Sequence, residues 1–443
     1  MISLRAWVLS MVMGLSVQAG ATPLSEQGKV EGAWFAGNGD RIIASERGGR
    51  IGFWDAVSGE ALAAEIDRFV GGENSWSKVD QEGKWVLAGS KEGGSRLYDF
   101  QTGKAMSAEI PASFQNGRIR AALSPGGFRL MTFEQREVAR IHDTKTGQKV
   151  AEIPLDVSKD DPDAMPEGVF EQNGKRAWIL DSSGAIRCFD TTTWKPVGET
   201  LRHPGSGYYS RLSIGADGRY IMACSDQPDC GGIGMVCVWD AATRRLVGKP
   251  VEKAWGAGAE FVDGGKRMRV FFGRGASYVA SLPSWSADYY LPMHSDLDGP
   301  HVLGADAGRL FVSWGADGIV SFTEASTGSP RGSYHGSEPV LQIAASPVKD
   351  RVVALLGRER LAEEKAGSAT LMRLDRKEDA APGQPLVCTG YTSLRYQEVL
   401  TGDSLAISPD GVRVLLVVDG RVRLFQVADL KELPSTTVAG VAR

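Results

Sequence analysis

The chain has 443 residues, 55 of them glycine, which is roughly double the ordinary share and marks a turn-rich protein. Apolar residues at 42 % and charged residues at 23 % provide for a substantial core and exclude disorder, a collagen-like repeat and a polytopic membrane protein. Fifty Lys and Arg against 54 Asp and Glu leave a net charge of −4, so the balance gives no reason to expect nucleic acid or an anionic membrane as a partner.

In chain order, the first feature is Arg5 ahead of an apolar stretch from Ala6 to Val17, closed by Ala19-Gly20-Ala21. A charged start, about a dozen apolar residues and a small-x-small end predict a secretory signal peptide over 1–21, cut before Thr22. The stretch is too short for a bilayer span, which needs about 20 residues. The mature chain, 22–443, is therefore expected to be exported to the periplasm or beyond, with no integral membrane span after cleavage.

From Val30 onward one pattern recurs. IGFWDAVSGEALAAEI, SRLYDFQTGKAMSAEI, ARIHDTKTGQKVAEI, IRCFDTTTWKPVGETL and VCVWDAATRRLVGKPV each place an Asp after an aromatic residue or His, then a polar turn, then an apolar strand. The residues are Asp55, Asp99, Asp143, Asp190 and Asp240; weaker copies place Pro283, Thr323, Asp375 and Gln426 there. Nine copies from Asp55 to Gln426 lie about 46 residues apart, the length of a four-stranded unit. Each unit but the eighth, which has Val348-Lys349, opens with a hairpin signal such as Asn38-Gly39, Asn173-Gly174, Asp217-Gly218 or Asp410-Gly411. Strands such as Val412 to Val418 are nearly continuous apolar runs, as expected when both faces of a sheet are covered. The repeated Asp residues are read as turn formers, because an Asx-type bond to the backbone explains every copy at once.

Departures from the pattern are few. Asp160-Asp161-Pro162-Asp163 is an acidic loop without calcium-loop spacing, read as solvated. Cys224, Cys230 and Cys237 lie in one segment, and in an oxidising compartment one bridge is expected among them, with three pairings open. Pro283 is expected to interrupt the ladder of unit six. The charged stretch 358–365 reads as a hairpin extension in unit eight, and Thr389 to Asp403 as a long connection before unit nine.

Phe53-Trp54-Asp55, Val238-Trp239-Asp240, the ISPDG from Ile407 to Gly411 and the ALSPGG from Ala122 to Gly127 resemble the WD-repeat family of β-propellers, in the style of bacterial exported members. The resemblance spans roughly Val30 to Pro434. It implies an all-β fold: a single closed β-propeller of eight or nine four-stranded antiparallel blades. It also implies a hydrogen-bonded cluster inside a blade, matched by His203, Ser225 and Trp239. Unit seven keeps His294, Ser313 and Asp317 but has Phe322 in place of the indole donor. His335 falls in the same structural class, and His142 fills the aromatic slot before Asp143.

No nucleotide-binding, zinc-protease, nucleophile-elbow or EF-hand motif is present, so no cofactor, metal or catalytic residue is expected. Aligning the first strands on a fixed offset before the hairpin turn gives one column: Gly32, Trp76, Arg120, Glu167, Arg211, Gly258, His301, Gln342 and Ser404. In WD-repeat relatives this column lines a recognition face, which makes Trp76, Arg120, Glu167, Arg211, His301 and Gln342 the candidate partner-binding residues. The expected function is a non-enzymatic scaffold that binds protein or peptide, in the bacterial envelope. Two other classes remain open: a propeller enzyme on sugars or small molecules, with Glu167 and Glu31 as carboxylates, and a structural envelope component.

Overall fold

The computed structural model describes residues 30–36, 39–46, 51–57, 61–62, 76–79, 85–89, 94–100, 102–110, 120–158, 166–204, 208–226, 233–254, 257–272, 277–294, 301–305, 309–346, 351–357, 367–375, 387–396, 405–418 and 421–433. Among them nine antiparallel sheets follow one another along the chain, each a meander whose strands pair in sequence order. Sheets 1 to 9 occupy 30–62, 76–99, 121–154, 167–202, 208–254, 257–290, 301–335, 340–396 and 405–426. Seven have four strands. Sheets 2 and 9 have three, with isolated bridges at Ser95↔Ile110, Tyr98↔Ala105 and Phe425↔Glu432 where a fourth would run. The expectation of four strands throughout is corrected there.

The apolar runs work as the sequence suggests. In Arg413–Val418, Leu415 and Val417 join a cluster with Ile42, Ala44 and Trp54 of sheet 1. Their neighbours Val414, Leu416 and Val418 face the other way, onto Val353, Leu355 and Leu371 of sheet 8. Side chains of a strand alternate faces, so a strand between two sheets needs apolar residues at every position. The same division puts Ile221 and Ala223 against sheet 4 and Tyr220, Met222 and Cys224 against sheet 6.

The residues group into two compact units. In one, sheets 8, 9, 1 and 2 pack face to face in that order, which brings the first and last sheets of the chain together. In the other, sheets 3, 4, 5, 6 and 7 do the same.

Three further expectations are corrected. Pro283 lies past the strand Ser277–Ser281, in the following turn, so it takes no donor from the ladder of sheet 6, whose one register shift with the outer strand falls between Val279 and Ala280. Val387–Tyr396 is a ten-residue outer strand of sheet 8, so most of the supposed connection after Thr389 is sheet. Cys224 and Cys237 do not bridge: they lie on adjacent strands with side chains on opposite faces, Cys224 toward sheet 6 and Cys237 toward sheet 4. Cys230 lies outside the described residues, as do the acidic loop 160–163 and the insertion 358–365.

Candidate functional site

The turn Asp residues fall first. Asp99, Asp143, Asp190 and Asp240 each accept, on Oδ1, the backbone N–H and hydroxyl of the Thr three residues on, at 2.7 to 3.1 Å, and Asp55 accepts the N–H of Val57. The carboxylates of Asp143, Asp190 and Asp240 are held below the ordinary value, first by the backbone N–H of Thr146, Thr193 and Thr243. One recurring bond fully occupies these groups, so they are framework.

The inner cluster takes two forms. In sheet 7 it closes: His294 Nε2 lies 3.0 Å from Ser313 Oγ, and Nδ1 lies 3.2 Å from Asp317 Oδ2, while Asp317 Oδ1 accepts the N–H of Ile319. Ser–His–Asp connectivity of this kind serves nucleophilic catalysis only where the hydroxyl is reachable. Ser313 is 1 % exposed and His294 4 %, so the cluster ties sheet 7 to the loop ahead of it. In sheet 5 the expected trio meets only in part. The rings of His203 and Trp239 are 6.2 Å apart and tilted, but Ser225 Oγ is buried without a hydrogen-bond partner among the described residues. The hydrogen bond expected between His203 and Ser225 is therefore not formed. His335 does not belong to this class: it is exposed at the end of Pro330–His335, beside Ser333 Oγ at 3.0 Å.

The column is a true structural register. Gly32 pairs with Ser45, Trp76 with Gly89, Glu167 with Leu180, Arg211 with Cys224, Gly258 with Phe271 and His301 with Trp314, always the residue thirteen places on. Arg120 fits it too, since its carbonyl accepts the N–H of Phe133. Equal register means that every column side chain leaves its strand on the same face.

In sheets 3 and 4 the structure brings the column residues Arg120 and Glu167 together, and Glu167 reaches the backbone of sheet 5. Arg120 Nη1 lies 3.6 Å from Glu167 Oε2, and the same oxygen accepts the N–H of Leu212, next to Arg211, at 2.7 Å. Arg120 and Glu167 are each about one third exposed, 31 % and 30 %. Arg211 is half-buried on Tyr208–Ile214, just past a register shift between Tyr209 and Arg211. Such bulges re-aim a side chain at the edge of a sheet. Trp76 and His301 stand on described strands, but their side chains lie outside the described residues. Gln342 is half-buried on Val340–Ala345, in the unit that contains sheets 8, 9, 1 and 2. Ser404 also lies outside the described residues, and Glu31 sits at a register shift between Val30 and Gly32.

Sequence reasoning missed one arrangement. Between sheets 4 and 5, the Arg244 guanidinium lies 4.2 Å above the Trp178 ring and donates to Val197 O, while Trp178 Nε1 donates to the buried Glu171 at 3.1 Å. None of these residues occupies the repeated aromatic-Asp slot, and a pairing across 66 positions leaves no local pattern. Among the described residues no group of His, Cys, Asp and Glu could hold a metal ion, and no helix is long and apolar enough to cross a membrane.

No protein-family model matches the chain, and no curated protein does. Solved structures do. The chain is similar to a structure described as the eukaryotic initiation factor, with a TM-score of 0.57 at 13 % identity over 92 % of this chain and 96 % of that one. The C-terminal WD40 domain of Sif2 aligns at 0.48 and 12 % identity over 90 % and 95 %. The β-propeller domain of Cps50 (Swd1) from Myceliophteria thermophila aligns at 0.38 and 15 % identity over 63 % and 91 %. At such identities the likeness concerns the fold alone, and only the first score is high enough to carry weight.

Proposed function

We propose that this chain is an exported, non-enzymatic scaffold of WD-repeat type, its nine sheets forming one closed propeller, which binds a protein or peptide segment along the first strands. The observation that carries this reading is the shared register of the column, with charged, partly exposed Arg120, Glu167 and Arg211 at the first-strand position of three consecutive sheets. Rigid strands hold these groups in place before a partner arrives, so little ordering free energy is lost on binding.

The enzyme reading draws no support from the geometry. Glu167 is already engaged by the Arg120 guanidinium and the Leu212 N–H. Ser313, which has His294 at hand, is buried. The leader over 1–21 supports export to the periplasm or beyond, a role in the bacterial envelope, and a mature chain beginning at Thr22.

Capture from an envelope extract of the native cells tests the reading. The wild type should retain partners that a triple variant, Trp76→Ala, Arg120→Ala and Arg211→Ala, loses, with circular dichroism unchanged. Equal capture by both proteins would remove the first strands as the binding face.

A further inference from the structure

Arg120 and Arg211 hold the same register position two sheets apart, yet among the described residues only Arg120 has an internal counter-charge. The sheet after Arg120 places Glu167 in the column, and its carboxylate spans from the Arg120 guanidinium to the Leu212 N–H on the sheet beyond. The sheet after Arg211 places Gly258 there, which supplies no acceptor. The Phe271 ring folds over that glycine so closely that a Cβ would lie 2.2 Å from the ring edge, so no side chain can be accommodated beneath it. Arg211 makes no ion pair or side-chain hydrogen bond with the described residues. The nearest column-face acid on sheet 6, Glu260, is engaged by Arg269 at 2.8 Å. A half-buried guanidinium loses hydration and, without a carboxylate, recovers nothing for it.

We propose that Arg211 is the subsite for an acidic side chain, Asp or Glu, of the bound protein segment, whose carboxylate takes the place that Glu167 takes for Arg120. The Glu167 carboxylate acts as the built-in template for that ligand. Guanidinium and carboxylate form charge-assisted hydrogen bonds of defined geometry, so this subsite sets orientation as well as attraction. The proposal deepens the scaffold reading and rests on it.

The test is fluorescence anisotropy with labelled hexaglutamate and hexaglutamine on the full mature chain at low salt. Because the protein carries a net charge of −4, unspecific attraction of hexaglutamate is disfavoured. Hexaglutamate should bind, hexaglutamine should not, and Arg211→Gln should weaken hexaglutamate at least tenfold while Arg211→Lys keeps part of the affinity. Identical hexaglutamate affinity in wild type and Arg211→Gln overturns the subsite. So does displacement by inorganic phosphate or glutarate at concentrations equal to that of competing unlabelled hexaglutamate, which would make it a site for small anions. The two readings fail separately. If Arg120→Ala abolishes partner capture while Arg211→Gln changes neither capture nor hexaglutamate binding, the scaffold stands and the subsite falls. If no column variant alters capture although Arg211→Gln still abolishes hexaglutamate binding, the scaffold reading falls instead.

Discussion

His142 shows how a single side chain in a repeated slot acquires its own chemistry. Other copies put an aromatic ring before the turn Asp; here an imidazole, 1 % exposed, fills the place, and its Nδ1 has no hydrogen-bond partner among the described residues. Burial, reinforced by Arg140 and Lys149, lowers its pKa from 6.5 to about 4. The folded state refuses a proton that the unfolded chain accepts, so this contribution is complete above about pH 6.5 and is lost as pH falls from there toward 4. The loss amounts to at most about 3 kcal/mol at the acid end. Urea unfolding at pH 7.5 and pH 5 should therefore show a larger acid loss for the wild type than for His142→Phe; equal losses would mean the ring is protonated in the fold.

The turn carboxylates act lower on the pH scale. Asp143, Asp190 and Asp240 have depressed folded pKa values, so they stabilise above the unfolded value near 4, and that support disappears as pH falls through the folded values. Asp190→Ala should flatten the stability profile below pH 4, whereas Asp190→Asn, which keeps an acceptor oxygen, should flatten it equally yet remain more stable than the alanine variant at pH 7. Urea midpoints across pH 3 to 7 would decide. These residues were legible because one local bond repeats at a fixed spacing. The cysteines were not, since whether Cys224 and Cys237 meet depends on which face each occupies, and that is set by strand register rather than by distance along the chain.

At the scale of the element, the outer turn after the third strand divides the sheets into two kinds. Its fifth residue takes a positive φ, and sheets 2, 3 and 7 put Gly103, Gly147 and Gly328 there. Sheets 4, 5, 6 and 9 instead place Trp194, Arg244, Trp285 and Leu430, at φ between 54° and 62°. A left-handed conformation costs an L-residue about 1 kcal/mol. Each of these side chains turns toward the seam with the preceding sheet: Trp194 onto the core between sheets 3 and 4, Arg244 over Trp178 of sheet 4, Trp285 in the seam between sheets 5 and 6, and Leu430 in that between sheets 8 and 9. The strain thus supports contacts between sheets. Arg244→Gly relieves that 1 kcal/mol but removes a cation–π contact of about 1–2 kcal/mol and a charged hydrogen bond of about 1.5–3 kcal/mol. It should therefore destabilise by about 1.5–4 kcal/mol in urea titration, and a more stable variant would refute the latch. Nothing in the sequence pattern singles these positions out, because the contact that rewards a bulky residue is supplied by a different sheet.

For the whole molecule, the decisive seam is between the first sheet and the last. Trp54, Ile42 and Ala44 of sheet 1 share one buried cluster with Leu415, Val417, Val422 and Leu424 of sheet 9. Gly39, at φ 86°, brings the first hairpin turn so near the last that a Cβ would lie 2.8 Å from Ser408. The repeats announced sheets that need neighbours on both faces, yet nothing periodic says which sheet covers the outer face of the first; only complementary packing at the ends does. If that seam holds the ends of the chain together, damage on one side must be felt on the other. Leu424→Ala deletes a fully buried side chain and should cost about 2–5 kcal/mol. Fluorescence of Trp54, followed in a chain whose other tryptophans are replaced by phenylalanine, should report that loss at the same urea concentration as far-ultraviolet circular dichroism. A Trp54 signal that keeps its wild-type midpoint in Leu424→Ala would show that sheets 1 and 9 unfold independently, and with that the proposal of a closed ring would fall.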